Sequence, residues 1–415
     1  MSEYWRFFRS DASLLTYGLS FSFLSSFGQT FLISLFVPFF LLEFALTNSQ
    51  FAAFYAGATL ASAALLPWAG QWMDRAPLHR VTLGVVLLLA ASALLLSVST
   101  HLGLFCLALL GLRLAGQGLS SHAAQTAMAR YFASARGKAL SIAGLGFPAG
   151  EALLPFIAAA SIAILGWRES WVVVAAVSAL VFGPLLVSLL RRSGVELDPR
   201  TVGRATPATR QAATNDQADP APADWRRREV LRDPRFWAVL PAAILPAFWA
   251  TGFFLYQTNI AEMKGWSLAL MASTFTAFAV FRVVTSLAAG GVVDRLSARR
   301  IFPVVPLPMA LGFGVLFISD AVWTAYLFMG FMGTSMGLAG AASSALWAEL
   351  YGVRHLGSIK AMLTALMVVS TAAAPLLVGG VMDGFASFEL LLVGGIVSVV
   401  VASLLAQRAL PFRLA

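Results

Sequence analysis

Charged residues and cysteine are both scarce in this chain. Only 11% of its 415 residues are charged, whereas a soluble domain carries about 25%. Hydrophobic residues make up 59%, so the composition excludes a water-soluble globular protein and indicates an integral membrane protein. Cys106 is the one cysteine, and a disulfide within the chain is therefore excluded.

Motifs for nucleotide-driven and metal chemistry are missing as well. The sequence has no Gly-x-x-x-x-Gly-Lys-Ser/Thr loop for ATP and no His, Cys, Asp and Glu set at metal-ligand spacing. We therefore expect no cofactor and no bound metal, and a primary pump or a metalloenzyme is disfavoured. The net charge is +9, but no basic stripe with interleaved aromatic residues occurs, so we expect no nucleic-acid partner.

Long apolar segments fill most of the chain. About 20 apolar residues cross a bilayer as a helix, and segments of at least that length recur along the sequence. They predict an all-α membrane protein with twelve transmembrane helices. We place the spans at about 14–42, 51–73, 79–98, 103–128, 139–165, 171–190, 236–260, 268–291, 301–319, 322–347, 361–382 and 388–407. Residues 1–190 and 236–415 would then be two six-helix halves, and 191–235 a linker.

Lys and Arg collect on one side of the predicted bilayer. Loops on the other side hold only Arg168 and Lys264. The crowded side, apart from the linker, holds Arg6, Arg9, Arg75, Arg80, Arg130, Arg136, Lys138, Arg295, Arg299, Arg300, Arg354, Lys360, Arg408 and Arg413. Because cytoplasmic loops collect basic residues, we predict a multi-pass protein of the plasma membrane, here a bacterial inner membrane, with both termini and the linker in the cytoplasm.

The linker has the composition of a loosely ordered segment. Residues 201–224 are rich in Ala, Thr, Pro, Asp and Gln and show no apolar periodicity. Such a stretch cannot bury enough apolar surface to fold. A simple tether and a docking segment both fit this composition.

A six-residue motif occurs twice. Gly70-Gln71-Trp72-Met73-Asp74-Arg75 and Gly290-Gly291-Val292-Val293-Asp294-Arg295 both read Gly-x-x-x-Asp-Arg, and both follow a long apolar segment. From residue 70 to residue 290 the shift is 220, and the same shift relates Tyr131 to Tyr351 and Pro155 to Pro375. A constant shift across several landmarks indicates two related halves.

Twelve spans in two halves, a central cytoplasmic loop and this motif after spans two and eight resemble the major facilitator superfamily of secondary transporters. The resemblance implies two pseudo-symmetric halves that enclose a substrate site near the midplane and expose it to each side in turn, in a protein that is not an enzyme. We expect a monomer. Gly333, Gly337 and Gly340 of span ten share one helical face, which fits either tight packing or a sliding contact.

The repeated motif implies a conformational latch by the same resemblance. Its expected members are Gly70, Asp74, Arg75, Arg130, Gly290, Asp294 and Arg295. Asp74 would cap the start of span eleven near residues 357–360 and pair with Arg130, since an anion is favoured at a helix N-terminus. The alternative is that the basic residues only fix the orientation in the membrane.

A second set of motifs resembles a narrower branch, the monocarboxylate and oxalate/formate transporters. It consists of residues 130–132, 136–139 and 166–168, which read Arg-Tyr-Phe, Arg-Gly-Lys-Ala and Gly-Trp-Arg. That branch places a substrate-binding Arg in span eight, and Arg282 is the candidate here.

Three charged residues lie well inside predicted spans: Arg113, Glu151 and Arg282. An ionisable group at this depth costs several kcal/mol unless it is paired or hydrated, so each is a functional candidate. Arg113 and Glu151 fall at a similar depth. They form either a structural ion pair or a proton-coupled pair, in which Glu151 takes up a proton and releases Arg113.

Polar residues without charge complete the candidate site. His122 is a second proton-coupling candidate, although a lone histidine is more often a hydrogen-bonded core residue. Gln29, Tyr256 and Gln257 are expected, with Arg113 and Arg282, to bind substrate, because spans one and seven flank the cavity in the family that the chain resembles.

These observations predict a secondary active transporter of a small organic anion, such as a monocarboxylate, working by proton symport or by antiport. Its partners would be that solute, protons and the lipid bilayer. Two alternatives stay open: an efflux transporter for drugs or other lipophilic compounds with the same fold, and, from another class, a membrane-embedded sensor or lipid-modifying enzyme.

Overall fold

The computed structural model is helical throughout the residues it describes, which are 6–9, 11–132, 135–194, 225–352, 355–384 and 388–410. Within these ranges the side chains of residues 71–75, 136, 290, 294, 341 and 344 are not described. The linker stretch 201–224 thus lies outside the described residues. No β-strand occurs in the described ranges, so the all-α class is confirmed.

Eleven helices of the described chain are long and apolar enough to cross a bilayer, and a bent pair adds a twelfth if it is counted as one span. Spans one to six are Ala12–Gly28 with Thr30–Glu43, Asn48–Gly70, Leu78–Ser97, Leu102–Tyr131, Gly137–Leu165 and Trp167–Arg192. Spans seven to twelve are Pro234–Leu255, Leu268–Val293, Ala298–Ile318, Val322–Tyr351, Leu356–Gly384 and Phe388–Ala409. The predicted number of transmembrane helices is confirmed.

The described chain divides into two compact units. Unit 1 contains residues 6–44 and 57–194, and unit 2 contains residues 45–56 and 225–410. Span two therefore begins in unit 2 and continues in unit 1. Apart from the short stretch 45–56, the division into two units follows the order of the chain.

In unit 1, spans one and five pack closely because glycine leaves no side chain between them. A Cβ on Gly146 would overlap the carbonyl oxygen of Leu19, and a Cβ on Gly150 would overlap the hydroxyl of Ser26. Contacts of this kind bring helices together in membranes, where small residues allow the backbones to approach.

In unit 2, spans eight and ten meet in the same way. A Cβ on Gly333 would overlap the carbonyl oxygen of Phe278, and one on Gly337 would overlap the hydroxyl of Thr285. Around Gly340 no atom of the described chain lies within 4 Å of the corresponding position. Two of the three glycines on this face therefore serve tight packing.

The two basic residues predicted outside the cytoplasm are both fixed by acids and carbonyl groups. Arg168 pairs with Glu43 at 2.7 Å and donates to Ser97 O and Ser99 O at 2.7 and 2.9 Å. Lys264 pairs with Asp320 and donates to Leu316 O at 2.8 Å. Each cation joins the ends of neighbouring spans within its own unit.

Candidate functional site

The centre of the candidate site in unit 1 is a break in span one. Residues Ser25–Gly28 form a 3-10 turn, Gln29 is extended with φ −84° and ψ 152°, and the helix resumes at Thr30. The two segments meet at 45°. A break of this kind frees backbone carbonyl groups, which need other partners inside a membrane.

Arg113 of span four supplies one such partner. Its Nη1 donates to Gly28 O at 3.1 Å, and its Nε donates to Thr59 Oγ1 of span two, also at 3.1 Å. The residue is only 2% exposed. A guanidinium keeps its charge in any environment, so the structure holds a buried cation against the break.

Span four is itself irregular at this point. Residues Arg113–Ser120 form a π-helix, a departure from α-helical geometry that is frequent at functional sites. Gly116 within it faces Gly28, since a Cβ on Gly116 would lie 2.6 Å from Gly28 Cα. Spans one and four therefore touch backbone to backbone where Arg113 reaches the freed carbonyl.

Glu151 approaches the same stretch from span five. It is 7% exposed, and the preceding residue, Gly150, lies against Ser26 in the turn before the break. Arg113 thus contacts the segment Ser25–Gln29 from span four, and Glu151 directly follows a residue of span five that lies against it. Their direct ion pair stays a prediction, and so does the contact of Gln29 with substrate.

His122 lies elsewhere in unit 1. The residue is exposed on span four, and its Nε2 lies 3.8 Å from the position that a Cβ of Gly70 would occupy. The structure thus places His122 beside the first glycine of the repeated motif. Its role in proton transfer stays a prediction.

Tyr256 and Gln257 are buried in unit 2. The Tyr256 hydroxyl donates to Asn48 O at 2.9 Å and lies 3.3 Å from Pro375 O. It therefore fixes the start of span two. Substrate contacts from Tyr256 and Gln257 stay predictions.

A carboxylate completes the contacts at the start of span two. Asp383 accepts from Asn48 Nδ2 at 2.9 Å and from Ser49 N at 2.7 Å. Asn259 Nδ2 lies 3.3 Å from Asn48 Oδ1. We call Asn48, Ser49, Tyr256, Asn259 and Asp383 the Asn48 cluster. Its acid sits at a helix N-terminus, where the helix dipole favours negative charge.

Arg282 is half-buried on span eight of unit 2. Its guanidinium carbon lies 5.9 Å from the centre of the Phe278 ring. Its backbone is held by span ten, because a Cβ on Gly337 would meet the carbonyl oxygen of Arg282. The position of this cation is thus set by the tight packing of spans eight and ten.

The repeated motif is described only in part. The side chains of Asp74, Arg75 and Asp294, and the surroundings of Gly290, lie outside the described residues. Arg130 is half-buried and Arg295 is exposed. The expected latch, including the cap on span eleven, therefore stays a prediction.

An acid that the sequence did not single out organises the loop after the second motif. Glu349 at the end of span ten accepts from Ala298 N and from the Ser297 hydroxyl, each at 2.9 Å. Arg299 Nη2 donates to Glu349 O at 2.8 Å. An acid at the end of an apolar span, close to the basic residues that follow the second motif, was the available signal.

Three further residues of the site also escaped the sequence analysis. Thr59 is a common polar residue and Asp383 stands at the end of a span, so neither stood out. Gly28 acts through its carbonyl group, which every residue type has. The spacing of Gly28 and Gly116 gave no signal, because the two lie on spans whose register is set only in the folded unit.

Apolar spans, duplicated motifs and a buried cation beside a broken helix together define a carrier of small solutes. The model of the Major Facilitator Superfamily matches residues 19–272, which is more than half of the chain. The chain belongs to the major facilitator superfamily. It is a multi-pass membrane transporter and not an enzyme.

Solved structures share this fold. A bacterial homolog of the human lysosomal transporter Spinster, inward-facing and unoccupied, matches with a TM-score of 0.69 and 16% identity over 96% of this chain and 95% of that one. A D-xylose-proton symporter matches with a TM-score of 0.70 and 16% identity over 96% and 98%. No curated protein matches the sequence.

Proposed function

We propose that the chain is a secondary active transporter of a small organic anion of the monocarboxylate class, moved with a proton or by exchange. One observation carries this proposal: Arg113, buried in unit 1, is held against the break in span one by Gly28 O and Thr59 Oγ1. Discontinuous helices form the substrate sites of several transporter folds, and a guanidinium can bind a carboxylate through two parallel hydrogen bonds.

Glu151 supplies the proton coupling in this proposal. It is buried on the span that packs against the same stretch of span one. Protonation removes its negative charge, and the electrostatic attraction of Arg113 for a substrate carboxylate then increases. Release of the proton on the other side restores the charge and weakens binding. Uptake of substrate and of a proton are thereby linked.

Arg282, on span eight of unit 2, is a second cation that we propose to bind substrate. The motifs at residues 130–139 and 166–168 resemble the branch that uses an arginine of span eight for substrate carboxylates. Tight packing of span eight against Gly333 and Gly337 fixes the backbone from which its side chain extends. We further propose that both termini face the cytoplasm of a bacterial inner membrane, in accordance with the Lys and Arg distribution.

The decisive experiment is uptake of radiolabelled lactate, formate and oxalate into proteoliposomes that contain the purified chain, with and without an inward proton gradient. We expect at least one acid to accumulate only with the gradient. Glu151→Gln should abolish gradient-driven accumulation and retain exchange of internal for external acid. An unchanged dependence on the gradient in Glu151→Gln would contradict the role of Glu151.

Arg282→Ala tests the anion site in the same assay. We expect it to lower the initial uptake rate by at least about 100-fold, because a buried charge-assisted contact to a carboxylate contributes about 3 kcal/mol or more. Arg408→Ala is the matched control, since Arg408 is exposed at the end of span twelve. If Arg282→Ala is inserted at the same level as the control and transports fully, span eight no longer supports an anionic substrate.

Efflux of lipophilic compounds is the second candidate. It is favoured by the aromatic content of 12%. One aromatic group in unit 2, however, packs on itself: Phe253 lies 4.8 Å from Phe313 and 5.6 Å from Phe328 between ring centres. Transport of a lipophilic cation, with no uptake of any acid, would establish this function instead.

A further inference from the structure

Spans nine and twelve of unit 2 enclose a cavity that the proposed transport cycle does not use. Its volume is about 560 Å³. The lining residues are Arg299, Arg300, Pro303, Val304, Leu307, Val400, Ser403, Leu404, Gln407 and Leu410. Span nine begins at Ala298 and span twelve ends at Ala409, so the two arginines and Gln407 lie at the same end of the cavity.

The lining changes from cationic to apolar along the two helices. Arg299 and Arg300 stand in the first turn of span nine, and Val304 and Leu307 follow one and two turns later. On span twelve, Leu404 lies deeper than Gln407 and is 53% exposed. A charged mouth that leads into an open apolar groove matches a molecule with an anionic head and a hydrocarbon tail.

One arginine of the mouth is held in place by span ten. Arg299 donates through Nη2 to Glu349 O at 2.8 Å, and its Nε lies 3.9 Å from Glu349 Oε2. Glu349 also accepts from Ala298 N. The start of span nine, and with it the backbone of Arg300, is therefore anchored to span ten at the place where the headgroup would bind.

We propose that this cavity binds an anionic phospholipid. The phosphate would be bound by the guanidinium groups at the mouth, and one acyl chain would lie along Val304, Leu307, Val400 and Leu404. Basic pockets between helices at the cytoplasmic side of a membrane bind anionic headgroups in this way, and guanidinium suits phosphate geometry. With the termini in the cytoplasm, as proposed above, the lipid belongs to the inner leaflet.

The test compares two lipids that differ only in the headgroup. The purified full chain is titrated in detergent with phosphatidylglycerol and with phosphatidylcholine of identical acyl chains, and bound lipid is counted by native mass spectrometry. We expect phosphatidylglycerol to bind at least about fivefold more tightly, since each arginine near a membrane surface contributes about that factor.

Two variants with matched controls locate the site. Arg300→Gln should reduce the preference for phosphatidylglycerol about fivefold, whereas Arg408→Gln, on the exposed end of span twelve, should retain it. Leu404→Trp fills the apolar groove from an exposed position and should reduce binding of both lipids about equally. Leu405→Trp, the neighbouring exposed leucine outside the cavity lining, should not.

The source of the phosphate is decided in the same titration. Inorganic phosphate at millimolar concentration should not displace phosphatidylglycerol, because it lacks the acyl chains. Displacement by phosphate, with no effect of Leu404→Trp, would show a site for a soluble anion and overturn the proposal. Equal retention of the two lipids by the unaltered chain, or loss of preference in Arg408→Gln but not in Arg300→Gln, would overturn it as well.

Discussion

Gly28 and Gly116 decide whether span one can break where it does. Their backbones touch, and a Cβ on Gly28 would overlap Leu112 O, while one on Gly116 would lie 2.6 Å from Gly28 Cα. Arg113 can reach Gly28 O only because this approach is so close. The absence of a Cβ at these two glycines therefore lets a deeply buried cation of unit 1 reach its acceptor.

Gly28→Ala should destabilise the protein by about 1–3 kcal/mol or more, because the new methyl group collides with backbone and not with a flexible side chain. Thermal unfolding in detergent, followed by tryptophan fluorescence, measures the loss. Gly57→Ala is the control in the same unit, since no described atom lies within 4 Å of its Cβ position. Equal stability of the two variants would refute the packing argument.

The ionisable candidates of the two units stand out in the sequence, but the acceptors of Arg113 do not. Arg113, Glu151 and Arg282 stand out because a charge inside an apolar span needs a reason. The acceptor on Gly28 is a backbone oxygen, which residue type does not mark. The proline of span one, Pro38, lies further along the second segment, so no proline marks the break at Gln29.

At the scale of elements, spans eight and ten behave as one packed pair. Gly333 and Gly337 lie against the backbone of span eight from Phe278 to Ser286, which includes Arg282. The sequence placed Gly340 on the same face but could not tell that no described atom would lie within 4 Å of its Cβ position, because helix crossing angles depend on all the side chains between the helices.

Span ten offers a matched pair of substitutions for this packing. Gly337→Ala places a methyl group on Arg282 O and Thr285 Oγ1 and should lower both thermal stability and transport. Gly340→Ala meets no described atom within 4 Å and should leave stability unchanged or raise it by up to about 1 kcal/mol, since alanine favours a helix over glycine. The same loss of stability in both variants would contradict the packing argument, because only Gly337 has described atoms close to its Cβ position.

At the scale of the whole molecule, the two halves share a repeated sequence pattern but do not share all of their contacts. Residues 45–56, which include the start of span two, belong to unit 2, where Asp383 and Tyr256 hold Asn48. The sequence showed two halves at a constant shift. The sequence could not show that the start of span two belongs to unit 2, because this assignment depends on hydrogen bonds between residues more than 200 positions apart, such as Tyr256 and Asn48.

Asp383→Ala should loosen the first turn of span two. Loss of its acceptor oxygens removes a helix cap that contributes about 1 kcal/mol, so the amides of residues 48–52 should exchange with deuterium about fivefold faster. Hydrogen-exchange mass spectrometry measures this directly. Asp320→Ala, which removes the partner of Lys264 elsewhere in unit 2, should leave these amides unchanged. Unaltered exchange in Asp383→Ala would show that the cap contributes nothing there.

The acceptor that Gly28 offers to Arg113 belongs to the main chain. No substitution can delete it, since every amino acid carries the same carbonyl group. If Arg113 binds the solute as proposed, adaptation to a new solute must act on the guanidinium, on Thr59 or on the residues that shape the bend. An alanine scan around Arg113 would miss one of the acceptors that hold its side chain.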